Sequence, residues 1–398
     1  MGQALRELDP RASAAATFGA ELRARRLARG RSLRELGQLV LVSGELLAKV
    51  EKAQRRPRPD LVQRLDAVLD TRGELERLAA PLFVAAARPA IDRPRLSPGN
   101  AELELRRVID EVRAVDHTLA ADRLAELMAF AEAAAAVDGS GLSAPVKTSL
   151  RRTLAEAEQL AGWMLFDRGD QPGAERMFAR AKSAAQLAGA ADLVAYVLGP
   201  SAAYSSIWCG NPELGAERAY GSLAWARRSG NRRLTAFAAA VAARAHARLG
   251  EDDLCRRMLD ESESELNRHV ADGSDPVWLS VFDDATLAGY RGLCLMDLGE
   301  PRAAITALWQ EEVASPPQYV RNRIIWRLES AQAHLRLGEL ESAGAAIEKA
   351  LDYAGPGAIT PRVVRVFHGV DLRLRTSRSS RELAVTRERL SGFIVANE

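Results

Sequence analysis

Cysteine, aromatic residues and long apolar runs are all scarce in this 398-residue chain, and each shortage excludes a class of protein. The three cysteines, Cys209, Cys255 and Cys294, form no Cys-x-x-Cys pair, which excludes a disulfide scaffold and a cysteine zinc site. No run of about 18 apolar residues occurs, and the first residues lack the layout of a signal peptide. We therefore expect a soluble, cytoplasmic protein without a membrane partner.

Motifs of catalysis and cofactor binding are also missing. The sequence contains no glycine-rich phosphate loop, no G-x-S-x-G elbow and no H-E-x-x-H pair. Its five histidines have no metal-ligand spacing, and His246 and His334 each stand four residues before a glycine, which indicates a packing role. We predict that the protein is not an enzyme and has no cofactor or metal.

Helical periodicity dominates what is present, and the charge is unevenly distributed. Alternating Val, Ile and Thr runs bounded by turn residues do not occur, so the sequence predicts an all-α protein. Residues 1–70 carry 14 basic and 9 acidic residues, whereas the remaining chain carries 41 and 44. A basic head on a near-neutral body indicates that only the head meets a polyanion.

The head contains a run of short helices with clear start signals. Phe18, Leu22 and Leu27 mark the inward face of a first helix, and Leu33, Leu36 and Leu39 that of a second. The second helix begins with a capping box, Ser32 to Glu35, and Ser43 is a good N-cap for a third helix from Gly44 to about Lys52. Two short helices joined by a tight turn, the second opening with small residues, suit insertion into the DNA major groove.

These segments resemble the XRE (lambda-repressor-like) helix-turn-helix family over roughly residues 18–70. The resemblance rests on Ser32-Leu-Arg-Glu-Leu, Val42-Ser43, Val50-Glu51-Lys52 and Arg56-Pro-Arg-Pro-Asp-Leu61. It implies binding to double-stranded operator DNA, commonly as a homodimer. The residues predicted to contact DNA are Arg34, Ser43, Gly44, Glu45, Lys49, Lys52, Arg55 and Arg56, with Glu45 and Lys49 at base edges and the four other charged residues at phosphates.

Three positions depart from the family pattern. Leu41 stands where the family usually has a turn glycine, Ala53 stands where a glycine usually follows, and Gly37 replaces a helical alanine. A left-handed turn costs leucine about 1 kcal/mol, and glycine inside a helix costs up to about 1 kcal/mol. The alternative hypothesis is therefore a non-enzymatic scaffold or partner-binding protein with a degenerate helix-turn-helix, although the arginine cluster favours DNA binding.

The body repeats a turn signal. Gly169, Gly210, Gly250, Gly299 and Gly338 are each followed by Asp, Asn or Glu, at spacings of 41, 40, 49 and 39 residues. Small residues recur seven positions before and five after each glycine, and large apolar residues nine after in four of five units. This recurrence predicts a solenoid of helix pairs and resembles tetratricopeptide repeats. The period is longer than the usual 34 residues, which implies either longer helices or HEAT-like pairing.

The order of segments gives a domain prediction. A disordered tail covers 1–16, the helix-turn-helix domain 17–80, a proline-rich linker 81–100, and the tetratricopeptide-like domain 101–398, which ends in capping helices from Pro361. A basic head of the XRE type on such a body resembles actinobacterial regulators and peptide-sensing regulators of Gram-positive bacteria.

Polar and aromatic residues share fixed offsets from the repeat turns and suggest a ligand groove. Arginine can bind a carboxylate in a bidentate manner, and aromatic rings supply apolar area. The alternative is that the aromatic residues fill the core between helices. The residues predicted to bind a peptide or small-molecule effector are Trp163, Tyr204, Trp208, Arg244, Arg248, Gln332 and Arg336.

Overall fold

The computed structural model describes residues 14–83, 94–115, 123–138, 141–314, 319–355, 358–376 and 383–397. Within these ranges every regular element is helical, so the predicted all-α fold is confirmed. The predicted tail, residues 1–16, lies almost wholly outside the described residues, although the first helix already begins at Ala14. The predicted linker is described from residue 94 onward, and its first proline, Pro81, lies within a helix that ends at Phe83.

Five helices form the N-terminal head around one apolar core. They are α1 (Ala14–Ala28), α2 (Leu33–Leu39), α3 (Gly44–Glu51), α4 (Pro59–Leu69) and α5 (Glu74–Phe83). Phe18, Leu22, Leu36, Leu47 and Leu65 are fully buried in this core. The prediction that Leu27 and Leu39 face inward was wrong. Both side chains are exposed, because the buried stripe runs through Leu22 and Arg26 in α1 and through Leu36 and Val40 at α2, and the two leucines lie off it.

Helix pairs form the body. Its helices are α6 (Ala101–Val115), α7 (Leu124–Asp138), α8 (Ala144–Asp167), α9 (Gln171–Leu187), α10 (Ala191–Tyr196), α11 (Tyr204–Trp208), α12 (Pro212–Ser229), α13 (Arg232–Leu249), α14 (Asp252–Asn267), α15 (Asp284–Asp297), α16 (Pro301–Ala314), α17 (Val320–Leu337) and α18 (Leu340–Tyr353). A π-helical segment, Val197–Ala203, joins α10 to α11, and a short 3-10 helix covers Val277–Leu279.

The predicted repeat turns coincide with the turns between paired helices. All five glycines have a left-handed φ, between 74° and 86°, which ends one helix and starts its partner. The small residues at fixed offsets permit close packing: a Cβ on Gly162 would lie 2.6 Å from the Phe178 ring, and one on Gly292 would lie 2.6 Å from Leu308. Small and large residues at the predicted offsets thus meet across these two pairs.

The chain ends in α19 (Pro361–Thr376) and α20 (Ala384–Asn397). The chain divides into two compact units. Of the described residues, the first unit contains 14–83, 364–376 and 387–397, and the second contains 94–115, 123–138, 141–314, 319–355, 358–363 and 383–386. Most of the segment predicted to cap the repeats thus belongs to the first unit, where Arg365 donates to the Asp60 carboxylate at the start of α4 (3.0 Å).

Candidate functional site

Short polar caps fix the two central helices of the head. The Ser32 hydroxyl accepts from the Glu35 amide (3.2 Å) while the Glu35 carboxylate accepts from the Ser32 amide (2.8 Å), which is the predicted capping box. The Ser43 hydroxyl accepts from the Leu46 amide (3.1 Å) at the start of α3. Ser43 therefore caps α3, and this role is compatible with its predicted place at the DNA.

The turn between α2 and α3 is tight enough to bring the two backbones into contact. A Cβ on Gly37 would lie 2.6 Å from the Val42 carbonyl oxygen, and one on Gly44 would lie 3.3 Å from the backbone of Leu33 and Arg34. Leu41 occupies the turn with a φ of 55°. Gly37 is thus required by close approach, whereas Leu41 is held in a conformation that favours glycine.

A buried ion pair holds the end of α3 against α1. Arg26 binds the Glu51 carboxylate through two hydrogen bonds, at 2.6 and 2.8 Å, and both side chains are buried. A Cβ on Gly19 would lie 2.7 Å from the Val50 and Glu51 carbonyl oxygens, so the two backbones also touch. Neither the pair nor the contact follows from the sequence pattern alone, because they join residues 25 or more positions apart. Together they fix the orientation of α3 within the head.

The outward face of α3 carries the residues predicted to meet DNA. Glu45 and Lys49 are solvent-accessible and form an ion pair of 2.8 Å, one helical turn apart. Arg34, Lys52, Arg55 and Arg56 are exposed, and in the described part of the chain none of the four has an acidic partner. Ala53, between them, has a φ of 55°. The head thus presents one polar helix face with uncompensated positive charge at its ends.

A cavity of about 430 Å³ lies within the repeat unit. Eight of the chain's 21 aromatic residues line it, and they come from seven separate elements and the segment before α17. The eight are Trp163, Tyr196, Tyr204, Phe237, Trp278, Tyr290, Tyr319 and Trp326. Six of these rings form a connected series of contacts, with centroids 4.4 Å apart for Tyr196 and Trp278 and 5.9 Å apart for Trp163 and Tyr204.

Among the described residues, the charged side chains that line this cavity are all basic, and their acidic partners are not part of the lining. Arg113, Arg321 and Arg362 line it, while no Asp or Glu of the described residues does. Arg321 and Arg362 both donate to the buried carboxylate of Asp167, Arg362 at 2.5 Å. The Arg362 guanidinium also lies 5.4–5.5 Å from the ring centroids of Trp163, Phe166 and Trp208, within the range of cation–π contacts.

Tyr290 supplies a neutral polar group to the same cavity. Burial raises the pKa of its phenol well above the usual 10, and the neighbouring Tyr204 raises this pKa further. The phenol therefore stays protonated at neutral pH and keeps its hydrogen-bond donor.

The predicted ligand residues divide into two groups. Trp163 and Tyr204 line the cavity, and Trp208 packs behind them against Phe166 and Tyr204. Arg244 binds Asp297 and the Leu293 carbonyl, Arg248 lies 3.6 Å from Asp297, and Arg336 donates to the Met296 carbonyl (2.6 Å). These three arginines and Gln332 are not among the lining residues, because the arginines join neighbouring repeats at the end of α15.

Several lining residues were missed by the sequence reading. Arg321 and Arg362 lie at or near helix starts, outside the offsets counted from the repeat glycines, and Trp278 lies between pairs. Asp167 had a visible signal, since it stands two residues before Gly169 at the offset that also holds Trp208 and Arg248. What could not be read from the offset is that Asp167 points toward residues 154 and 195 positions away.

Comparison with known proteins identifies one segment of the chain. A family model described as a helix-turn-helix domain matches residues 17–79. The head is a helix-turn-helix fold. No curated protein matches the chain in sequence. Among solved structures it is similar to Bacillus thuringiensis PlcR in complex with the peptide PapR7 and DNA, at 13% identity and a TM-score of 0.33, covering 74% of this chain and 93% of that one.

In the part of the chain that the structure describes, no helix combines the length and apolar character needed to cross a membrane.

Proposed function

We propose that the protein is a DNA-binding transcriptional regulator that inserts α3 into the major groove of an operator. The observation that carries the proposal is the outward face of α3, where Glu45 and Lys49 stand above a buried seam of Leu47 and Val50. Ser43 and Gly44 stand at its N-terminus, where free amides favour phosphate, and the missing Cβ of Gly44 serves the close contact with α2. Arg34, Lys52, Arg55 and Arg56 supply phosphate contacts on either side.

Recognition by α3 requires the Glu45–Lys49 pair to open. Both side chains are largely solvent-accessible, and an exposed pair of this kind contributes about 0–1 kcal/mol. A good base contact is worth about 1–3 kcal/mol of discrimination, so the exchange is favourable. Lysine suits guanine and glutamate suits cytosine, which assigns the pair a role in reading sequence.

The repeat unit is proposed to sense a peptide or small-molecule effector and to support a homodimer. Stacked helix pairs contact mainly their neighbours, so their curvature can change cumulatively when a ligand bridges several pairs. Two heads must match half-sites about 34–36 Å apart, and a change in curvature alters that match. A ligand that prefers one curvature by about 3 kcal/mol would shift DNA affinity about 150-fold.

The salt dependence of DNA binding tests the proposal. If Arg34, Lys52, Arg55 and Arg56 each neutralise one phosphate, a dimer makes about eight contacts. Log affinity then falls against log salt with a slope near −7, at about −0.9 per contact. In fluorescence anisotropy with the full-length protein, Arg55→Ala should weaken binding to all sequences and flatten the slope by about 2.

Lys49→Ala is the matched comparison, because it removes a basic residue from the base-reading face rather than from a phosphate clamp. We expect it to relax preference at particular operator positions in selection from a randomised pool. Absence of salt-sensitive DNA binding at about 50 mM salt would contradict the regulator and favour the partner-binding scaffold with a degenerate helix-turn-helix.

A further inference from the structure

The repeat-unit cavity is partly open to solvent, since exposed residues such as Val277 and Ser280 are part of its lining. It is therefore a cleft that a ligand can enter from solution. A space of about 430 Å³ lies in the lower part of the roughly 300–1,000 Å³ range of small-molecule sites. This size suits a compact organic molecule better than an extended peptide of several residues.

We infer that this cavity binds a planar, largely apolar organic molecule that carries one anionic group, held at Arg321 and Arg362. The inference rests on the proposed sensing function of the repeat unit and names the chemical class of its effector. Aromatic rings favour offset or edge-on contact with a flat ring system, and eight of them surround the space.

The positively charged lining of the cavity favours an anionic ligand. A ligand in the cavity meets Arg113, Arg321 and Arg362 directly, whereas the acidic partners lie behind these side chains: Asp167 holds Arg321 and Arg362, and Glu156 lies 3.1 Å from Arg113. This arrangement pre-positions guanidinium groups, which bind carboxylate or sulfonate oxygens in a fork.

Polar groups suited to orienting the ligand stand beside the rings. The Tyr290 phenol remains protonated and lines the cavity, and Gln159, held to Ser201 through its amide nitrogen (3.0 Å), lines it too. A few fixed polar groups in an otherwise apolar pocket are what orient a small ligand.

A pair of fluorescent probes separates charge from hydrophobicity. 1-Anilinonaphthalene-8-sulfonate contains a flat naphthalene ring and one negative charge, and N-phenyl-1-naphthylamine has the same skeleton without the sulfonate. Titrated into full-length protein, the sulfonate probe should bind at one saturable site per chain, about tenfold more tightly than the neutral probe. Equal affinity of the two probes would overturn the anionic class.

Variants locate the site and its charge. Val281→Trp fills the cavity from a half-buried position and should weaken binding of the sulfonate probe about tenfold or more. The matched control is Ser342→Trp, which fills a separate hollow of about 370 Å³ beside Trp309 and should leave the affinity unchanged within about twofold. Equal effects of the two substitutions on the affinity for the sulfonate probe would overturn the assignment to this cavity.

The charge requirement is tested by Arg362→Gln, which leaves Asp167 paired with Arg321 and so strands no buried carboxylate. It should weaken the sulfonate probe about tenfold and leave the neutral probe unchanged. Arg113→Gln provides a second variant, since Glu156 keeps Arg106 at 4.0 Å. If the variants lose affinity for both probes to the same extent and keep a normal circular dichroism spectrum, the arginines act through packing. That result would overturn their proposed role in binding the anionic group.

The outcome is separable from that of the regulator proposal because probe binding is measured without DNA. Saturable, charge-dependent probe binding in a protein that fails to bind DNA supports the cavity and overturns the regulator. Salt-sensitive DNA binding with no saturable probe site overturns the cavity alone.

Discussion

Several residues of the head occupy backbone positions that ordinary propensity would not choose, and three of them also depart from the family pattern that the sequence resembles. Leu41 and Ala53 both have a φ of 55°, in the left-handed region that favours glycine. Gly37 lies inside α2, where alanine normally stabilises a helix by about 1 kcal/mol, yet its position next to the Val42 carbonyl leaves no room for a Cβ. The sequence marks all three as unusual. It does not show that Leu41 and Ala53 are strained, whereas glycine is required at position 37.

Substitutions at two of these residues should change the free energy of unfolding in opposite directions. Ala53→Gly should raise the free energy of unfolding of the head by about 1 kcal/mol, because it relieves a left-handed alanine. Gly37→Ala should lower it, although helix propensity predicts a gain, because the new Cβ would lie 2.6 Å from a backbone oxygen. Urea unfolding followed by circular dichroism measures both.

Gly369→Ala is the control for this pair of variants. Gly369 lies within α19 and a Cβ there would meet nothing within 4 Å, so propensity alone should act and the substitution should stabilise. A stabilising Gly37→Ala would show that α2 and α3 do not approach as closely as described.

At the scale of elements, the helix from Ala191 to Trp208 contains a proline within its π-helical segment. Pro200 has no amide hydrogen, so a π-helical bond to the carbonyl five residues earlier, that of Ala195, cannot form. The Ser222 hydroxyl from α12 donates to that carbonyl instead (2.7 Å). The segment between Tyr196 and Tyr204, two rings of the cavity wall, therefore depends on a bond from another helix.

Removing the hydrogen bond from Ser222 should lower the free energy of unfolding more than removing a similar bond at the end of α12. Ser222→Ala leaves a buried carbonyl without its side-chain donor and should lower the free energy of unfolding by about 1–3 kcal/mol. Ser229→Ala, in the last turn of the same helix, loses a bond to the Ala226 carbonyl and one from the Asn231 amide (3.3 Å). Water can replace both, so stability should change by less than about 0.5 kcal/mol. Similar losses for both would contradict the role given to Ser222.

Periodicity explains how much of the architecture was predictable. The five repeat glycines mark turns because each needs a left-handed φ, and the small residues around them mark contacts because backbones approach there. The π-helical segment has no comparable sequence signal, because Pro200 predicts a break in an α-helix but not the kind of helix that replaces it. The cavity was predictable in part: Trp163 and Tyr204 share offsets, whereas Arg321 and Arg362 reach Asp167 from distant sequence.

Across the whole molecule, each unit has a hydrophobic core of its own. The core of the head includes Phe18, Leu36 and Leu75, and the largest core of the repeat unit includes Leu234, Phe237 and Phe282. Units with separate cores need not unfold together, so a single two-state transition is not expected.

Differential scanning calorimetry of the full-length protein should therefore resolve two transitions. Ala53→Gly should move only the transition of the head, upward by several degrees, and Ser222→Ala only that of the repeat unit, downward. The two substitutions serve as controls for one another. A single transition that both substitutions shift would show that the two units unfold as one.

The pair between Asp60 and Arg365 has a consequence for how the protein is made. The two residues are 305 positions apart in sequence, although both belong to the first unit. At a synthesis rate of about 5–20 residues per second, Asp60 leaves the ribosome about 15–60 s before Arg365. The core of the head, built from residues 18–82, can form during this interval, before the contact with Arg365 can be made. A growing chain thus carries a helix-turn-helix whose core can be complete while its contact with residues 305 positions later is still missing.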